Sequence, residues 1–216
     1  MIAIDGPSGA GKGTVARTLS EHLGYRHIDT GAMYRAVAWK AGHEALSLDD
    51  EPAVAALAAR AKLIVEGGVV SIDGHDVTRT IRTPEIDKAA AAVARLPSVR
   101  EVLVRRQRDE GRDGGVVMEG RDIGTVVFPD ADVKVYLDAS QEERARRRAN
   151  DPAHTGSRVG QAAVAEAIQA RDKSDTTRAV SPLTLAPDAV HIDTTGMPIQ
   201  DVVDRVLGLV RKRLKA

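Results

Sequence analysis

Five short apolar segments alternate with helical patterns along the chain. The predicted strands are Ile2 to Asp5, Tyr25 to Asp29, Gly115 to Met118, Val133 to Leu137 and Ala189 to Ile192. A helical pattern precedes or follows each of them. Because this alternation is typical of a parallel sheet with helices on both faces, we predict an α/β fold around a central five-stranded parallel sheet.

A different pattern lies between the second and third predicted strands. The helix-like Pro52 to Lys62 leads into two short apolar runs, each followed by a turn signal: Leu63 to Val65 with Gly67-Gly68, and Val69 to Ile72 with Asp73-Gly74. Such turns are typical of hairpins. The helical pattern returns at Pro84, with Thr83 as the predicted N-cap. We therefore predict a small insert that contains β-strands.

Two capping boxes mark further helix starts. Ser98-x-x-Glu101 is predicted to open a long basic helix, and Ser140-x-x-Glu143 is predicted to open another. The second helix leads into a broken, charged segment before the helical Gln161 to Arg171. No internal repeat or low-complexity tract is present.

The motif GPSGAGKGT lies between the first predicted strand and a helix that begins near Lys12. Its glycines let several backbone N–H groups converge, and the helix dipole and the lysine ammonium add positive charge. We predict that this loop binds the phosphates of a nucleoside triphosphate. The candidate contacts are Gly6, Pro7, Ser8, Gly9, Ala10, Gly11, Lys12, Gly13 and Thr14.

Gly13 follows the lysine at the position where this motif usually has Ser or Thr, and Thr14 comes one place later. One residue turns a helix by about 100°, so Thr14 cannot simply replace that hydroxyl on Mg²⁺. We expect Thr14 to reach a phosphate oxygen while the metal keeps water and phosphate ligands. No protein metal ligand is therefore predicted.

Composition narrows the possible chemistry. The 216 residues are enough for one α/β unit with small insertions. The absence of cysteine excludes disulfides, thiolate nucleophiles and cysteine-bound zinc. The six histidines are scattered without ligand spacing, so we expect surface or packing roles for them.

Charge also argues against some classes of protein. The formal net charge is zero, which is unlike a nucleic-acid binder with a globally basic surface. Of the 31 basic residues, 23 are arginines, whose planar group suits bidentate phosphate binding. No long apolar segment predicts a membrane span, and the glycine loop comes too early for a signal peptide. We expect a cytoplasmic protein.

Transfer of a phosphoryl group between polyanions requires positive charge along the line of transfer. Arginines follow three of the predicted strands at their carboxyl ends, where open α/β sheets bind ligands. They are Arg35 after the second strand, Arg121 with Asp122 after the third, and Arg144, Arg147, Arg148 and Arg158 after the fourth.

Arg144, Arg147 and Arg148 share a helix face, so at least one of them could close over phosphate. The same run is equally typical of a solvated helix face. The basic residues on the helix that Ser98 opens are expected to be mainly surface charge: Arg105, Arg106 and Arg108. Arg100 lies in the first turn of that helix, where a cation opposes the dipole, so we expect it to have another role.

With these residues the chain resembles the bacterial cytidylate kinases, which are P-loop nucleoside monophosphate kinases. The resemblance covers nearly the whole length. Besides the glycine loop, it rests on four stretches specific to the family: Asp29 to Arg35, Val99 to Glu101 with Arg105 to Arg108, Glu119 to Pro129, and Arg171 to Ala179.

The resemblance implies a P-loop kinase fold and transfer of phosphate from ATP to CMP or dCMP, giving CDP or dCDP. Mg²⁺ would accompany ATP. It implies a single unit with a core of residues 1–29, 97–140 and 175–216, a region of residues 30–96 that binds the monophosphate, and a short lid of residues 141–174. The expected partners are ATP and CMP or dCMP, with no nucleic acid and no membrane, and we expect a monomer.

Site roles also follow from the resemblance. The catalytic residues would be Lys12, Arg121, Arg178, Arg144 and Arg148, with Arg158 on ATP. The acceptor would be held by Arg35, Arg121 and Arg178 at the phosphate, Arg100 and Asp122 at cytosine, Thr30 and Tyr34 at the pocket wall, and Arg171 and Asp175 at the ribose. An aspartate that accepts from the cytosine amine would disfavour uracil, which presents an acceptor there.

One position departs from the family pattern. Ala91 stands where the family has a serine that contacts cytosine. A hydrogen bond of about 1 kcal/mol is then missing or supplied by another residue, and selectivity for CMP over UMP is expected to be weaker.

Two other interpretations stay open on the sequence alone. The acceptor could be UMP, AMP or a non-nucleotide alcohol. The chain could instead be a GTP-dependent switch, because Asp172-Lys173-Ser174-Asp175 and Asp193-Thr194-Thr195-Gly196 approach guanine-nucleotide motifs. Against the switch, those two motifs occur in reversed order, and the first follows a predicted helix instead of a buried strand.

Overall fold

A computed structural model describes residues 1–153 and 160–214. The elements in chain order are β1 (Ile2–Asp5), α1 (Lys12–Leu23), β2 (Arg26–Asp29), α2 (Thr30–His43), α3 (Glu51–Arg60), β3 (Leu63–Glu66), β4 (Val69–Ile72), β5 (His75–Asp76), α4 (Pro84–Val93), α5 (Pro97–Gly111), β6 (Val116–Gly120), a π-helical turn (Ile123–Val127), β7 (Val133–Asp138), α6 (Gln141–Ala149), α7 (Gln161–Thr177), β8 (Val190–Asp193) and α8 (Ile199–Leu214).

The central sheet has five parallel strands in the order β2-β6-β1-β7-β8, which confirms the predicted fold class. All five predicted strands are present. β6 runs on to Gly120, so Glu119 is part of a buried strand. Because β1 lies at the centre, its end at Asp5 is flanked by Gly120 of β6 and Tyr136 of β7. The loop after β1 therefore opens in the middle of the carboxyl edge.

The core is divided between the two faces of this sheet. Alternate residues of β1 point to opposite sides, with Ala3 in one buried cluster and Ile2 and Ile4 in the other. Helices α2 to α5 cover the first face, and α1 and α8 cover the second. With few aromatic residues, the packing is made by Ala, Val, Leu and Ile, as the composition predicts.

The predicted insert is confirmed as a separate antiparallel sheet in the order β3-β4-β5. Its third strand is only the polar pair His75–Asp76, which no apolar run announces. The helix start after it is also confirmed, because Thr83 Oγ1 accepts from Ile86 N at 3.3 Å. The insert thus joins α3 to α4.

The two predicted capping boxes have different outcomes. Ser140 is an N-cap, since its hydroxyl accepts from Glu143 N at 3.2 Å. The prediction for Ser98 was wrong, because the N-cap of α5 is Leu96, two residues earlier, and the helix begins at Pro97. Proline favours the first helical position, and Ser98 N donates instead to Glu51 Oε1 at 2.7 Å. A carboxylate from α3 therefore replaces the predicted cap.

The helix predicted from Gln161 to Arg171, within the predicted lid, is longer than expected and ends at Thr177. Arg158 and the Thr155 to Ser157 stretch lie outside the described residues. Among the helices that are described, none combines the length and the apolar character needed to cross a bilayer.

Candidate active site

A cleft of about 2020 Å³ lies at the carboxyl edge of the central sheet. Single-ligand pockets have volumes of roughly 300 to 1,000 Å³, so this cleft has room for two ligands. Lys12 lines it together with three arginines from distant parts of the chain: Arg35, Arg121 and Arg178. The sequence predicted that these four side chains meet.

The loop from Gly6 to Thr14, called the phosphate loop below, depends on glycine for close packing. A Cβ on Gly6 would lie 1.9 Å from the carbonyl oxygen of Leu137 in β7. A Cβ on Gly9 would lie 2.8 Å from the carbonyl oxygen of Arg144 in α6. Both residues also have positive φ, of 146° and 79°. The neighbouring strand and helix therefore set the path of the loop.

The arginine face of α6 contacts this loop. Arg144 Nη1 donates to Ser8 O at 3.0 Å, and Arg147 Nη1 donates to Ala10 O at 3.3 Å. Arg148 Nη2 donates to Ser8 Oγ at 3.2 Å. The shared face that the spacing predicts thus supports the phosphate loop and is not merely solvated.

Arg144 is more deeply buried than Arg147 and Arg148, the other two arginines on this face of α6. Its guanidinium also binds Ala139 O at 3.0 Å and Asp172 Oδ2 at 2.5 Å. The other carboxyl oxygen of Asp172 accepts from Ser8 N at 3.4 Å. Arg144 therefore connects α6, the loop and α7, whereas Arg147 and Arg148 line the cleft.

Lys12 is buried at the first position of α1. Its ammonium donates to Pro7 O at 2.7 Å, within the loop itself. Burial, followed by repulsion from Arg121, lowers the pKa of Lys12 to about 7. A phosphate beside it would stabilise the charged form and raise that pKa again.

Glu119 occupies the space left by the unusual glycine in the loop. A Cβ on Gly13 would lie 3.0 Å from Glu119 Oε1, and the same oxygen lies 3.0 Å from His27 Nε2. A carboxylate thus stands close to where the side chain of Ser or Thr would begin. Because this contact joins residues far apart in sequence, the analysis of the loop alone missed it.

Asp5 fixes the turn that carries Arg121 and Asp122. Its two carboxyl oxygens accept from Ile123 N at 2.8 Å and from Gly124 N at 2.7 Å. Burial raises the pKa of Asp5 to about 6, although both backbone hydrogen bonds oppose the rise. The turn after β6 is therefore attached to the end of β1, beside the phosphate loop.

Asp122 lies between two buried arginines. Arg100 Nη2 donates to Asp122 Oδ2, and Arg178 Nη2 is 3.5 Å from Asp122 Oδ1. The Arg100 guanidinium also lies 5.6 Å from the centre of the Tyr34 ring. These contacts explain a cation in the first turn of α5, which the sequence marked as unusual.

Asp175 holds two further guanidinium groups and shares that of Arg178 with Asp122. Its carboxylate lies 2.9 Å from Arg121 Nε, 3.1 Å from Arg171 Nε and 3.9 Å from Arg178 Nη1. Burial acts to raise the pKa of Asp175, but the three arginines outweigh it and keep that pKa below its usual value. Asp122 and Asp175 together therefore place Arg100, Arg121, Arg171 and Arg178 around one space, called the acceptor pocket below.

Arg35 enters the same pocket from α2. Its Nη2 donates to Asp29 Oδ2 at 2.8 Å, and Asp29 Oδ1 caps α2 by accepting from Ala32 N at 2.9 Å. Thr30, also predicted for the pocket wall, donates its hydroxyl to Glu119 O at 2.7 Å. One aspartate thus both starts the helix and orients its arginine.

Several buried polar atoms of the pocket make no hydrogen bond within the described part of the chain. They include Arg35 Nε and Arg100 Nε, and Arg178 Nη2 has only its 3.5 Å ion pair with Asp122. Buried polar groups without partners cost about 1 to 3 kcal/mol each. Their convergence here indicates a pocket that a polar, anionic ligand completes.

Sequence reasoning gave no role of their own to Asp5, Asp29, Asp172 and Glu119. Asp5 and Asp29 end their strands, and Glu119 is the second-last residue of β6. For these three residues the sequence did offer a signal: an acidic residue at the end of an apolar run, where a strand reaches the carboxyl edge of the sheet. Asp172 had no such signal, because only the packing of α7 brings it to Ser8.

The residues of the proposed guanine motif do not form a nucleotide-reading loop. Asp172 and Asp175 lie inside α7, and both are engaged with arginines. The other motif, Asp193 to Gly196, follows the edge strand β8, two strands away from β1. This arrangement removes the structural basis for the switch interpretation.

The remaining arginines of α5 are mainly on the surface, as predicted. Arg105 pairs with Glu101 at 3.2 Å in an exposed contact, and Arg106 donates to Ala59 O. Arg108 is exposed as well, and it donates to Val126 O and Val127 O, which ties α5 to the π-helical turn.

Comparisons with known proteins agree with this geometry. A family model described as cytidylate kinase matches residues 2–212 of the chain. The chain is 53% identical over 214 residues to the cytidylate kinase of Pelotomaculum thermopropionicum, covering 97% of the chain and 95% of the relative. It is 50% identical over 214 residues to that of Desulforamulus reducens, covering 98% and 96%. A crystal structure of an uncharacterized protein from Eubacterium ventriosum aligns with a TM-score of 0.54 at 13% identity, covering 98% and 97%, which indicates a shared fold alone.

Proposed function

Because this chain belongs to the cytidylate kinase family, we propose that it transfers the terminal phosphoryl group of ATP to CMP and dCMP. The products are ADP with CDP or dCDP. The observation that carries the proposal is the meeting of the phosphate loop with a group of carboxylate-held arginines in one cleft. Such a cleft can hold two phosphate-bearing ligands whose charges would otherwise repel each other.

On the donor side, the backbone N–H groups of the phosphate loop would bind the phosphates of ATP. Lys12 would leave Pro7 O and stabilise charge on the transferring group. Arg148, which lines the cleft, would act on the same group, and Arg158 would contact ATP. The catalytic role predicted for Arg144 stays a prediction, and its buried contacts favour an action through the phosphate loop.

On the acceptor side, the residues are proposed to divide among the parts of CMP. Arg35, Arg121 and Arg178 would bind the phosphate, and Arg171 with Asp175 would bind the ribose. Arg100 and Asp122 would read the cytosine edge, with Tyr34 and Thr30 at the pocket wall. The Nε donors of Arg35 and Arg100, which make no hydrogen bond within the described residues, support this assignment.

The reaction needs no general base, because an acceptor phosphate oxygen is already anionic at neutral pH. That oxygen attacks the terminal phosphorus of ATP, and the bond to the bridging oxygen breaks and leaves ADP. Catalysis then consists of alignment and charge neutralisation. We propose that residues 141–174 act as a lid that excludes water over a core of residues 1–29, 97–140 and 175–216, and that residues 30–96 hold the monophosphate.

Mg²⁺ is proposed to enter with ATP. Within the described residues, no three His, Asp or Glu side chains converge in a metal site. The Glu119 carboxylate beside Gly13 is nevertheless a suitable oxygen acceptor for a metal-bound water. These residues fit an ion held mainly by phosphate oxygens and water, which would offset negative charge on the phosphates.

A coupled assay for ADP release across CMP, dCMP, UMP and AMP tests the proposed function. We expect CMP and dCMP to give the highest kcat/KM. ADP release without any acceptor would measure hydrolysis and serves as the baseline. Turnover of another acceptor with none of CMP would overturn the assignment.

A further inference from the structure

A contact between the acceptor side and the predicted lid has no role in the reaction as proposed so far. Asp87 lies in the first turn of α4 and lines the cleft. Its Oδ2 atom is 3.6 Å from Arg148 Nη2 of α6, and its backbone carbonyl accepts from Arg171 Nη1 of α7 at 2.9 Å. One residue of α4 therefore joins both helices of the predicted lid.

Arg148 stands at the boundary between the two halves of the cleft. The nitrogen that faces Asp87 also donates to Ser8 Oγ of the phosphate loop. Arg148 is mostly buried, and Arg35 and Arg121 are close enough to repel it. Burial lowers the pKa of Arg148, and Asp87 is the largest of the charges that act in the opposite direction. Asp87, together with Asp151, thus offsets part of the cost of placing this cation among other arginines.

We infer that Asp87 is a positioning residue that holds Arg148 between the donor and acceptor phosphates before either substrate is bound. The inference rests on the proposed function, in which Arg148 acts on the transferring group. When the substrates arrive, their phosphates add to the negative charge that Asp87 already supplies. Holding the guanidinium in place beforehand reduces the ordering that must accompany binding.

A purely local role for Asp87 makes a different prediction. A carboxylate in the first turn of a helix stabilises the helix dipole wherever the lid lies. Removing it would then weaken α4 by the same amount whether or not Arg148 is present. The two roles are separated by asking whether the effect of Asp87 depends on Arg148.

A double-mutant cycle on kcat/KM for CMP makes that separation. We expect Asp87→Asn to lower kcat/KM about 10-fold in the wild-type background, and less than about 2-fold in an Arg148→Gln background. Equal losses in the two backgrounds would overturn the inference. Glu101→Gln, which removes a carboxylate from the exposed pair with Arg105, is the matched control and should leave kcat/KM unchanged.

Two further measurements keep the test decisive. Asp87→Glu retains the charge and should recover part of the lost activity, so a loss as large as that of Asp87→Asn would count against positioning by charge. Thermal midpoints of all variants identify any loss caused by unfolding. If the wild type phosphorylates another acceptor but neither CMP nor dCMP, the proposed function fails, while the same cycle run with that acceptor still tests the coupling of Asp87 to Arg148.

Discussion

The donor half of the cleft is formed by nine consecutive residues, Gly6 to Thr14, whereas the acceptor half collects side chains from α2, α5, α7 and the turn after β6. In the donor half, backbone N–H groups are the expected ligands, and glycines shape the loop against β7 and α6. In the acceptor half, arginines held by Asp29, Asp122 and Asp175 are the expected ligands.

This difference affects how each half can be altered. The backbone of the phosphate loop presents the same N–H groups whatever the side chains, so its recognition of phosphate depends mainly on its glycines and Lys12. The acceptor pocket is built from ion pairs whose members can be exchanged, and each exchange alters both charge and shape. We therefore expect substitution of Lys12 or of an arginine at the acceptor phosphate to abolish transfer, and substitution of the residues proposed to read cytosine to redirect it.

The largest effects are expected where charge faces the transferring group. Lys12→Ala and Arg121→Ala should each lower kcat at least about 100-fold, because each removes a cation that we propose to stabilise the transition state. Arg105→Ala, which removes an exposed cation, is the matched control. A near-normal kcat for either variant would remove that residue from the mechanism.

Asp122→Asn tests whether the acceptor half sets specificity. It should lower the ratio of kcat/KM for CMP to that for UMP by about 10-fold or more, because an amide no longer selects the cytosine amine over the uracil carbonyl. It also leaves Arg100 and Arg178 without their shared carboxylate, which should cost about 3 to 5 kcal/mol of unfolding free energy. The ratio is measured in the coupled assay, and stability by denaturant unfolding. An unchanged ratio in a folded variant would argue against base reading by Asp122.

The pH dependence tests the donor half through Lys12. In the free protein its pKa is about 7, so above that pH the side chain is neutral and ATP binding must draw a proton. We expect kcat/KM for ATP to fall by up to about 10-fold per pH unit above pH 7, while kcat stays level because the bound phosphates keep the lysine charged.

Through Lys12, a rise in pH above 7 is expected to stabilise the fold, whereas it is expected to weaken ATP binding. A lysine pKa lowered on folding makes the fold more stable as the pH rises from about 7 towards the usual value of 10.5.

Calorimetry of ATP binding at pH 8, in buffers with different ionisation enthalpies, measures the proton that Lys12 takes up when ATP binds. Absence of uptake would mean that Lys12 is already charged in the free protein.

The smallest effect concerns Ala91, which lines the cleft on α4. Ala91→Ser should restore one hydrogen bond to cytosine and increase the CMP to UMP ratio about 5-fold, equivalent to about 1 kcal/mol. Ala92→Ser alters the neighbouring residue, which is not part of the cleft lining, and should leave the ratio unchanged. Equal ratios for the two variants would show that another residue already makes this contact.

Much of the site was predictable because its signals are local. The glycine spacing before Lys12, the strand before it and the helix after it together predicted the phosphate loop, and Arg35, Arg121 and Arg178 were predicted to meet opposite it. Ser98 shows where local signals fail. Its capping box is complete in sequence, but Pro97 begins the helix and Glu51 from another helix takes the N–H of Ser98.

The sequence by itself determined the α/β alternation, the phosphate loop and most helix starts, because these depend on residues within a few positions of one another. Only the tertiary structure decided that Glu119 stands beside Gly13, that Asp5 holds the turn carrying Arg121, and that Asp87 meets Arg148. Each of these contacts joins residues that are separated by 61 or more positions and depends on strand order and helix packing. The free energy of placing a buried charge depends on all the groups around it, so its partner cannot be found from local spacing.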